Sequence, residues 1–364
     1  MGGELSSAYN VRGGSFDENL VYVNDFEVYR PYLVRSGQQE GLSFANPDMV
    51  SNIKFSSGGF QAKYGDKLAS VMDVTYKRPK KFGLTAYGSL LGAGLHVEAA
   101  SKDTSFTFLF GFRNRSAQYL ISSLQTKGQY SPTFYDAQTY MTWDIKPQHR
   151  LEFIGQYANN QFKFFPEDRQ TDFGLVNKVV RLNMYFEGAE HDKYQTIMGG
   201  LAYTYFPHEK VKLKFLGSYY NTKEREAYNI IAEYFLGEVE TDFTKENFNE
   251  VKYGLGTGLT QNWARNELFT QIINVKHLGS WFYRDHYFQW GFSYKHERIN
   301  DALYEWGLLD STGYTLPFSV EQVNVQRFTQ GSTQLRSNRY EAFIQDSWRT
   351  GDKNVFFITG GALS

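Results

Sequence analysis

Apolar and polar residues alternate with a period of two along most of the sequence after residue 82. Every second residue of SFTFLFGF at 105–112 is phenylalanine, and KVKLKFLGSY at 210–219 and YFQWGFSY at 287–294 alternate in the same way. A helical period of 3.6 residues explains none of these segments, whereas a strand with one apolar face explains all three. The sequence therefore predicts a chain built mainly of half-buried β-strands.

The connections between these strands predict how the strands are arranged. If 83–91 is the first strand, the tight turns all lie at one end of the strands. The connections at the other end are a short one at 91–94 followed by the long connections. Outer-membrane barrels sort their connections in this way, with short periplasmic turns and long extracellular loops. We therefore predict an all-β, antiparallel transmembrane barrel. The tight turns are 101–104, 146–150, 207–210, 284–286 and 350–354, and the long connections are 113–133, 161–192, 222–265 and 299–338.

The number of predicted strands bears on whether the barrel closes. An odd number of up-and-down strands cannot close an antiparallel barrel, and an open edge in lipid leaves backbone groups unpaired. We therefore expect the chain to be part of a larger barrel, since GGALS at 360–364 stops where a strand should continue. The eleven predicted strands lie near 83–91, 94–101, 104–113, 134–145, 150–160, 194–206, 210–221, 266–283, 287–298, 338–349 and 354–361.

Composition narrows the functional class. The 364 residues carry a net charge of -1, which gives no electrostatic reason to expect nucleic acid as a partner. The absence of cysteine excludes disulfides, thiolate metal sites and a cysteine nucleophile. Aromatic residues make up 18% of the chain although its mean hydropathy is only -0.50. This combination fits a barrel whose strands are apolar on one face and end in aromatic girdles.

The first 80 residues predict a different unit. Short apolar runs at 20–23, 26–29 and 68–76 are separated by glycine-rich turns. Asn46 is predicted to cap a helical turn that has Pro47 in its first position. We predict a small α/β domain over residues 1–80 and a barrel domain over residues 82–364.

Six blocks in the first domain, in order, resemble the second half of the plug domain of TonB-dependent receptors, with the spacing of Bacteroidetes-type members. Residues 340–348, YEAFIQDSW, resemble a barrel strand of the same family. The chain departs from the family in having Asn24-Asp25-Phe26 where a glycine usually follows the aspartate, a mild change because Asn and Asp tolerate turn geometry. The blocks are YNVRGG at 9–14, NLVYVND at 19–25, VYRP at 28–31, FANPDMV at 44–50, GGFQAKYG at 58–65 and LASVMDV at 68–74.

The resemblance implies a 22-stranded barrel filled by the plug, of which about eleven strands would be present. It implies a protein of the bacterial outer membrane that binds an extracellular ligand and imports it with energy from an inner-membrane TonB system. The implied partners are outer-membrane lipid and lipopolysaccharide, the periplasmic transducer TonB, and a surface lipoprotein. No TonB box or first plug half is found within the 364 residues. The alternative is a non-transporting barrel that serves as a structural or docking partner, and a passive porin is disfavoured because a plug occludes the lumen.

The candidate site residues form two groups. The first is structural and consists of the plug motif residues Arg12, Gly13, Gly14, Asn24, Asp25, Gly58, Gly59, Tyr64 and Gly65. The second group is proposed for ligand contact by stacking and charge, by analogy with the family, although its members are equally compatible with simple packing. The ligand-contact candidates are Tyr29, Arg30, Tyr32, Arg35, Trp306 and Tyr314.

The sequence contains no pattern that predicts an enzyme. Gly59 and Gly65 have the wrong spacing for a phosphate loop, and His296-Glu297 is not followed by the second histidine of a zinc site. No catalytic residue, metal ligand or cofactor is therefore predicted. The acidic segment 233–250 is interpreted as a solvated loop, with binding of divalent cations as the alternative.

Overall fold

The computed structural model describes most of the chain, and every structural statement below refers to these residues. Nothing is described for the gaps between the ranges. The described residues are 11–14, 18–29, 35–36, 39–40, 43–58, 60–65, 69–116, 128–175, 178–311, 314–315, 321, 324–350 and 355–363.

Six short strands precede residue 80, and fourteen follow it. The first six are β1 (Asn19–Val23), β2 (Phe26–Glu27), β3 (Arg35–Ser36), β4 (Gln39–Glu40), β5 (Val50–Ser56) and β6 (Ser70–Tyr76). The others are β7 (Gly83–Ser89), β8 (Gly92–Ala100), β9 (Phe106–Ser116), β10 (Gly128–Tyr130), β11 (Thr133–Lys146), β12 (His149–Pro166), β13 (Arg169–Leu175), β14 (Lys178–His208), β15 (Val211–Val239), β16 (Val251–Tyr283), β17 (His286–Ser311), β18 (Tyr314–Thr315), β19 (Val325–Thr350) and β20 (Val355–Leu363).

Four of the early strands form a small mixed sheet, in the order β2-β1-β6-β5, which we call the inner sheet. β1 runs parallel to β6, and the other two pairs are antiparallel. Asn24 and Asp25 have φ values of 51° and 72° and form a two-residue turn between β1 and β2. Positive φ at both central positions is the geometry of a type I′ hairpin, which Asn and Asp adopt readily. The predicted tolerance of this turn for Asn-Asp is confirmed.

The helical part of the early region is smaller than the sequence analysis predicted. Asn46 caps a 3-10 turn at Pro47–Met49 and accepts a hydrogen bond from the Asp48 backbone at 3.1 Å. No α-helix occurs among the described residues, so α/β was wrong for this part of the chain. Only three residues separate Asn46 from Val50, which already pairs with β6, and this leaves no room for an α-helical turn. The described chain has no helix of the length and apolar character that would be needed to cross a membrane.

Fourteen strands form one large antiparallel sheet, which we call the wall. Eleven of them follow one another in the order β20-β19-β17-β16-β15-β14-β12-β11-β9-β8-β7, and the short strands β10, β13 and β18 pair with β12, β14 and β17. Each strand pairs with the next long strand along the chain, and within the described residues β7 and β20 are the edges. The predicted tight turns at 101–104, 146–150, 207–210 and 284–286 are confirmed by the strand ends on either side of them, and they lie at one end of the wall strands, which we call the tight-turn end. The predicted turn at 350–354 lies outside the described residues except for Thr350. The wall begins at Gly83, after β6 ends at Tyr76, and the domain division at 80–82 stays a prediction.

The predicted long connections are wrong over much of their length. Strand β14 begins at Lys178, β15 continues to Val239 and β16 begins at Val251, all inside segments that were expected to be loops. Residues there, such as those of KEREAY at 223–228, are polar on both faces of the strand. Backbone pairing needs no apolar face, so a strand with solvent on both sides loses the alternating signal.

The wall buries polar residues on its inner face and exposes apolar residues on its outer face, which is the opposite of the arrangement in a water-soluble sheet. On the inner face, Asp136 and Gln138 are at most 2% exposed, while on the outer face Phe106, Leu201 and Ile344 are 40%, 62% and 66% exposed. Water would penalise both features, whereas a lipid environment around the outer face favours both. The other buried polar residues of the inner face are His96, Thr107, Arg113, Thr142, Glu152, Gln156, Asn160, Asp192, Thr196, Thr204, Lys214, Thr222, Asn266, Asn274, Ser293, Lys295 and Gln345.

The inner sheet lies against the inner face of the wall. The described residues before Gly83, which we call the small domain, are contacted by wall strands from β9 to β19. These wall strands span about 34 Å at a spacing of about 4.8 Å per strand. A four-stranded sheet is about 15 Å wide, so the wall must curve around it. One apolar core joins Val23, Phe26 and Met49 of the small domain to Ile154 and Met198 of the wall. The wall therefore encloses the inner sheet on the side that it covers.

A pair of adjacent glycines shows how closely the two sheets approach. A Cβ atom on Gly200 would lie 2.5 Å from the ring of Phe26, so only glycine fits there. Its neighbour Gly199 points to the outer face, where a Cβ atom would meet nothing within 4 Å.

Candidate functional site

The contact between the small domain and the wall, which we call the seam, is the candidate functional site. Arg113 of β9 is its largest polar hub. The guanidinium donates to both carboxylate oxygens of Asp136 at 2.8 Å and to the backbone oxygens of Ser43, Phe44 and Ala45 at 2.8 to 3.3 Å. The bidentate ion pair is internal to the wall, and the carbonyl contacts hold the segment that leads into Asn46. Arg113 thus connects the two parts through charge-assisted hydrogen bonds.

A second hub, Lys214 of β15, lies between two carboxylates. Its Nζ is 2.9 Å from Oδ2 of Asp25 in the inner sheet and 3.1 Å from Oε2 of Glu152 in the wall. The same ammonium donates to the backbone oxygen of Asn24 at 3.1 Å. Burial alone raises the pKa of Asp25, but the ammonium groups of Lys214 and Lys63 outweigh burial and hold it far below its ordinary value. Asp25 is therefore ionised at neutral pH and fixes the β1–β2 turn to the wall.

Five further polar contacts distribute the seam over several strands. Lys295 of β17 lies 3.0 Å from Oε2 of Glu27. In addition, Tyr76 donates to Gln138 at 2.6 Å, the Ala62 backbone donates to Gln345 at 2.8 Å, Arg78 pairs with Asp144 at 2.7 Å, and Asn274 donates to the Tyr29 hydroxyl at 2.9 Å.

A polar cavity of about 120 Å³ lies beside the Lys214 hub, near the tight-turn end of the wall strands. Asp25, Lys63, Lys212 and Lys214 line it, together with Gln289 of β17. No side-chain hydrogen bond or ion pair is found for Lys212 among the described residues. The seam is therefore lined by charged and polar side chains on this side instead of being sealed by apolar packing.

The plug motif residues that are described serve the structure of the small domain. Arg12 and Gly13 have φ values of 52° and 79° and form a turn in which Gly14 donates to the Val11 oxygen at 2.9 Å. Gly58 lies against the Arg12 guanidinium and has a φ of 144°, a backbone conformation that residues with a side chain rarely adopt. Tyr64 donates to Asp73 at 2.6 Å. Nothing restricts Gly65 sterically, and Gly59 lies outside the described residues.

The proposed ligand-contact residues are not brought together among the described residues. Tyr29 packs edge-on against Tyr220 at 5.5 Å, and burial, followed by the nearby Glu27, raises its pKa, so the hydroxyl stays neutral. Trp306 lies on the outer face and stacks on Trp263 at 5.7 Å. Arg30 and Tyr32 lie outside the described residues, as do the side chains of Arg35 and Tyr314. Their assignment to ligand contact stays a prediction.

Sequence reasoning missed the residues that dominate the seam: Arg113, Glu152 and Lys214. Each is a charged residue at a polar-face position of an alternating strand. The signal was present in KVKLKF, where lysines alternate with apolar residues, because a charge on the buried face of a strand needs a partner.

The acidic segment 233–250 is divided between strand and loop. Glu240 pairs with Lys245 at 2.7 Å and Glu238 lies 3.6 Å from Lys252. Hydrogen bonds from Thr244 lower the pKa of Asp242. No group of three or more metal-ligating side chains occurs in the described parts of the chain.

Comparison with known proteins finds no matching family model and no matching curated protein. Among solved structures, the ferric citrate transporter FecA in its unliganded form is 10% identical, with 98% of this chain and 56% of that chain covered and a TM-score of 0.46. The siderophore receptor PirA from Pseudomonas aeruginosa is 9% identical, with coverages of 96% and 85% and a TM-score of 0.31. The ferripyoverdine receptor of the outer membrane of Pseudomonas aeruginosa is 8% identical, with coverages of 98% and 65% and a TM-score of 0.32. This chain thus spans a little over half the length of the first of these proteins, and likeness at this level carries no functional conclusion.

Proposed function

We propose that this chain belongs to an outer-membrane receptor that binds an extracellular ligand and imports it with energy from an inner-membrane TonB system. The observation that carries the proposal is the wall itself, which is apolar outside, polar inside, and occupied on its inner face by a separate small sheet. The six plug-like blocks support assignment to the Bacteroidetes-type TonB-dependent receptors. Whole-protein activity and partners are part of the proposal.

The open wall supports the proposal that these eleven strands form half of a 22-stranded barrel. Edge strands β7 and β20 both present unpaired backbone on the described sheet. In lipid, such edges are stable only when further strands pair with them. Strand β5 of the inner sheet has Ile53 and Phe55 each 51% exposed, and further wall strands would cover them.

The contacts of the seam favour a gated transport path and argue against a passive pore. The joint apolar core fills the space between the two parts, which would block free diffusion. The polar contacts, in contrast, are discrete and spread over several strands, so a pull on the small domain can break them one after another. Segments with such low local stability are the ones that move in gating proteins.

A second candidate function is a docking barrel that transports nothing. It is favoured by the tip between β15 and β16, where Phe243 is 82% and Phe248 is 51% exposed. Exposed aromatic residues are typical of protein-binding surfaces, and a surface lipoprotein is the partner proposed for them.

An engineered disulfide across the seam distinguishes the import function from the docking function. A Cβ atom on Gly111 of β9 would lie 3.3 Å from Cγ of Asn46, which is close to the geometry of a disulfide. We expect Asn46→Cys/Gly111→Cys in the full-length receptor to abolish receptor-dependent growth when oxidised and to regain it with reductant. The measurement is growth of a deletion strain carrying the variant, with ferric siderophores, cobalamin, oligosaccharides or peptides as the limiting nutrient.

The two single-cysteine variants are the controls, because each carries one of the two substitutions and cannot form the bridge. Equal growth of the oxidised and reduced double variant on a nutrient that requires the receptor would contradict movement of the small domain. If deletion of the receptor affects growth on none of these nutrients but abolishes surface retention of a lipoprotein, the docking function is correct instead.

A further inference from the structure

The outer face of the wall carries a row of tyrosines whose hydroxyl groups bond to carboxamides on neighbouring strands. The tyrosine row is Tyr135, Tyr157, Tyr219 and Tyr294, with hydrogen bonds to Asn159 at 2.6 Å, Gln195 at 3.5 Å, Gln271 at 3.2 Å and Asn338 at 2.9 Å respectively. Asn159 lies directly opposite Tyr135, whereas Gln195, Gln271 and Asn338 lie two residues further from the tight turns than their tyrosines. Tyrosine with an apolar ring and a bonded hydroxyl is typical of a membrane interface.

The surface between this row and the tight turns is apolar. From the tyrosine row down to the level of Trp281, the outward-facing positions of the described strands β9 to β19 contain no Lys, Arg or Glu, and Asp346 appears only at the Trp281 level, where it bonds to His286. Eight residues separate Trp281 from Ile273, which pairs with Tyr219. At about 3.3 Å per residue and a tilt of about 40°, the band is about 20 Å high, close to the apolar band of outer-membrane barrels.

A row of cations lies on the same face beyond the carboxamides, four to six residues past the tyrosine level and therefore about 10–15 Å above it. Glu267 is the one carboxylate that faces outward at this level among the described strands β12 to β19. The cation row consists of Lys163, Lys193, Lys223, Arg225, Arg298 and Arg336.

The protein itself does not neutralise the charges of the cation row. Lys193 lies directly opposite Arg225, and Arg298 lies directly opposite Arg336. Like charges in directly opposed positions destabilise a sheet. Arg225 also pairs in register with Glu267, but no ion pair within 4.0 Å forms there. Nε of Arg298 is buried and has no hydrogen-bond partner among the described residues. An anion bound at this level would relieve both the repulsion and the unmet hydrogen bond.

We propose that the cation row binds the phosphate groups of a phosphorylated lipid of the outer leaflet, as in the lipid A part of lipopolysaccharide. Acyl chains would cover the apolar band, sugar hydroxyls would meet the carboxamides, and the phosphates would bridge the opposed cations. A free phosphate ion uses only the last of these three layers, which is why the combined surface fits an amphiphile. This inference rests on the proposed outer-membrane location and names the site at which that membrane's lipid is held.

The test compares two triple variants of the full chain that lose the same charge. The first variant removes part of the cation row by Lys193→Gln/Lys223→Gln/Arg225→Gln. The control variant removes three cations at the tight-turn end of the wall by Lys102→Gln/Lys210→Gln/Arg284→Gln. Binding to mixed detergent micelles is measured with lipid A, with the same lipid after dephosphorylation, and with inorganic phosphate as competitor. With about a fivefold effect per cation, we expect the first variant to bind lipid A on the order of 100-fold more weakly and with a shallower salt dependence. The control should bind as the wild type does.

Three results would overturn the inference: wild-type affinity in the first variant, equal binding of the dephosphorylated lipid, or complete competition by inorganic phosphate at millimolar concentration. All six substituted side chains are exposed or lie in turns, and resistance to trypsin verifies that each variant is folded. Cell fractionation of the wild type tests the location separately. A protein absent from the outer membrane defeats the proposed function, whereas an outer-membrane protein whose variant keeps its lipid affinity defeats only the lipid site.

Discussion

Replacing Arg113 with methionine is expected to release the small domain from the wall. Asp136 is fully buried and would be left without its cation, and three backbone oxygens of the small domain would each lose a hydrogen bond. Breaking a buried ion pair from one side costs about 3–5 kcal/mol. That loss corresponds to an increase of about two to nearly four orders of magnitude in the population of the released state.

The reporter for this release is a cysteine at Ala202, a wall residue in the joint core that is 1% exposed. The chain has no other cysteine, so its reaction with a water-soluble maleimide measures how often the seam opens. Arg181→Met is the matched control, because Arg181 also holds an aspartate, Asp172, at 2.7 and 2.8 Å but lies between wall strands. Faster labelling in both variants would mean that the wall itself unfolds, and unchanged labelling in Arg113→Met would refute the role of this hub.

Replacing Lys214 with methionine is also expected to release the small domain from the wall. In addition, it should reverse the direction in which docking of the small domain depends on pH. The change leaves Asp25 and Glu152 facing each other without the ammonium between them, at a cost of about 3–5 kcal/mol. In the wild type, the pKa of Asp25 is lower when docked than when released. Its contribution to docking is therefore present above the ordinary pKa of about 3.9 and is lost as the pH falls below it.

The variant should respond to acid in the opposite direction. Without Lys214, the nearest cation left is Lys63 at 3.9 Å. We expect burial to outweigh this longer contact and to raise the pKa of Asp25, so protonation favours docking and acidification from pH 7 to pH 4 should slow labelling at the Ala202 reporter. Lys212→Met is the control, since Lys212 lies two residues away on the same face of β15 and makes no such contact. Equal labelling of the Lys214 and Lys212 variants across this pH range would exclude an ionic link at the turn.

Local sequence was sufficient to predict the parts of the fold in which one face of a strand is apolar. The alternation at 105–112 and the polar turn at 284–286 each depend on neighbouring residues alone, and both are found where they were predicted. The turn at Asn24 and Asp25 also follows from local preference. The outer halves of β14, β15 and β16 were missed because water lies on both sides of them and no alternation marks them.

The seam was much harder to predict because its partners are far apart in the sequence. Arg113 is about 70 residues from Ser43, and Lys214 is 189 residues from Asp25. A single sequence shows that a charge lies on the polar face of a strand, but the register of the wall decides which group it meets. Trp306 illustrates the same limit, since a position one residue away would have faced the lumen and not the outer surface.

The inside-out wall and its inner sheet are tested most directly by cysteine labelling at Leu201 and Ala202 in intact outer membranes. Leu201 is 62% exposed on the outer face, and its neighbour Ala202 is covered by the small domain. We predict that Leu201→Cys reacts with a lipid-soluble maleimide but not with a charged one, and that Ala202→Cys reacts with neither until Arg113 is replaced. Labelling of Leu201→Cys by the charged reagent as fast as a Lys102→Cys control at the tight turn would contradict a lipid-facing wall.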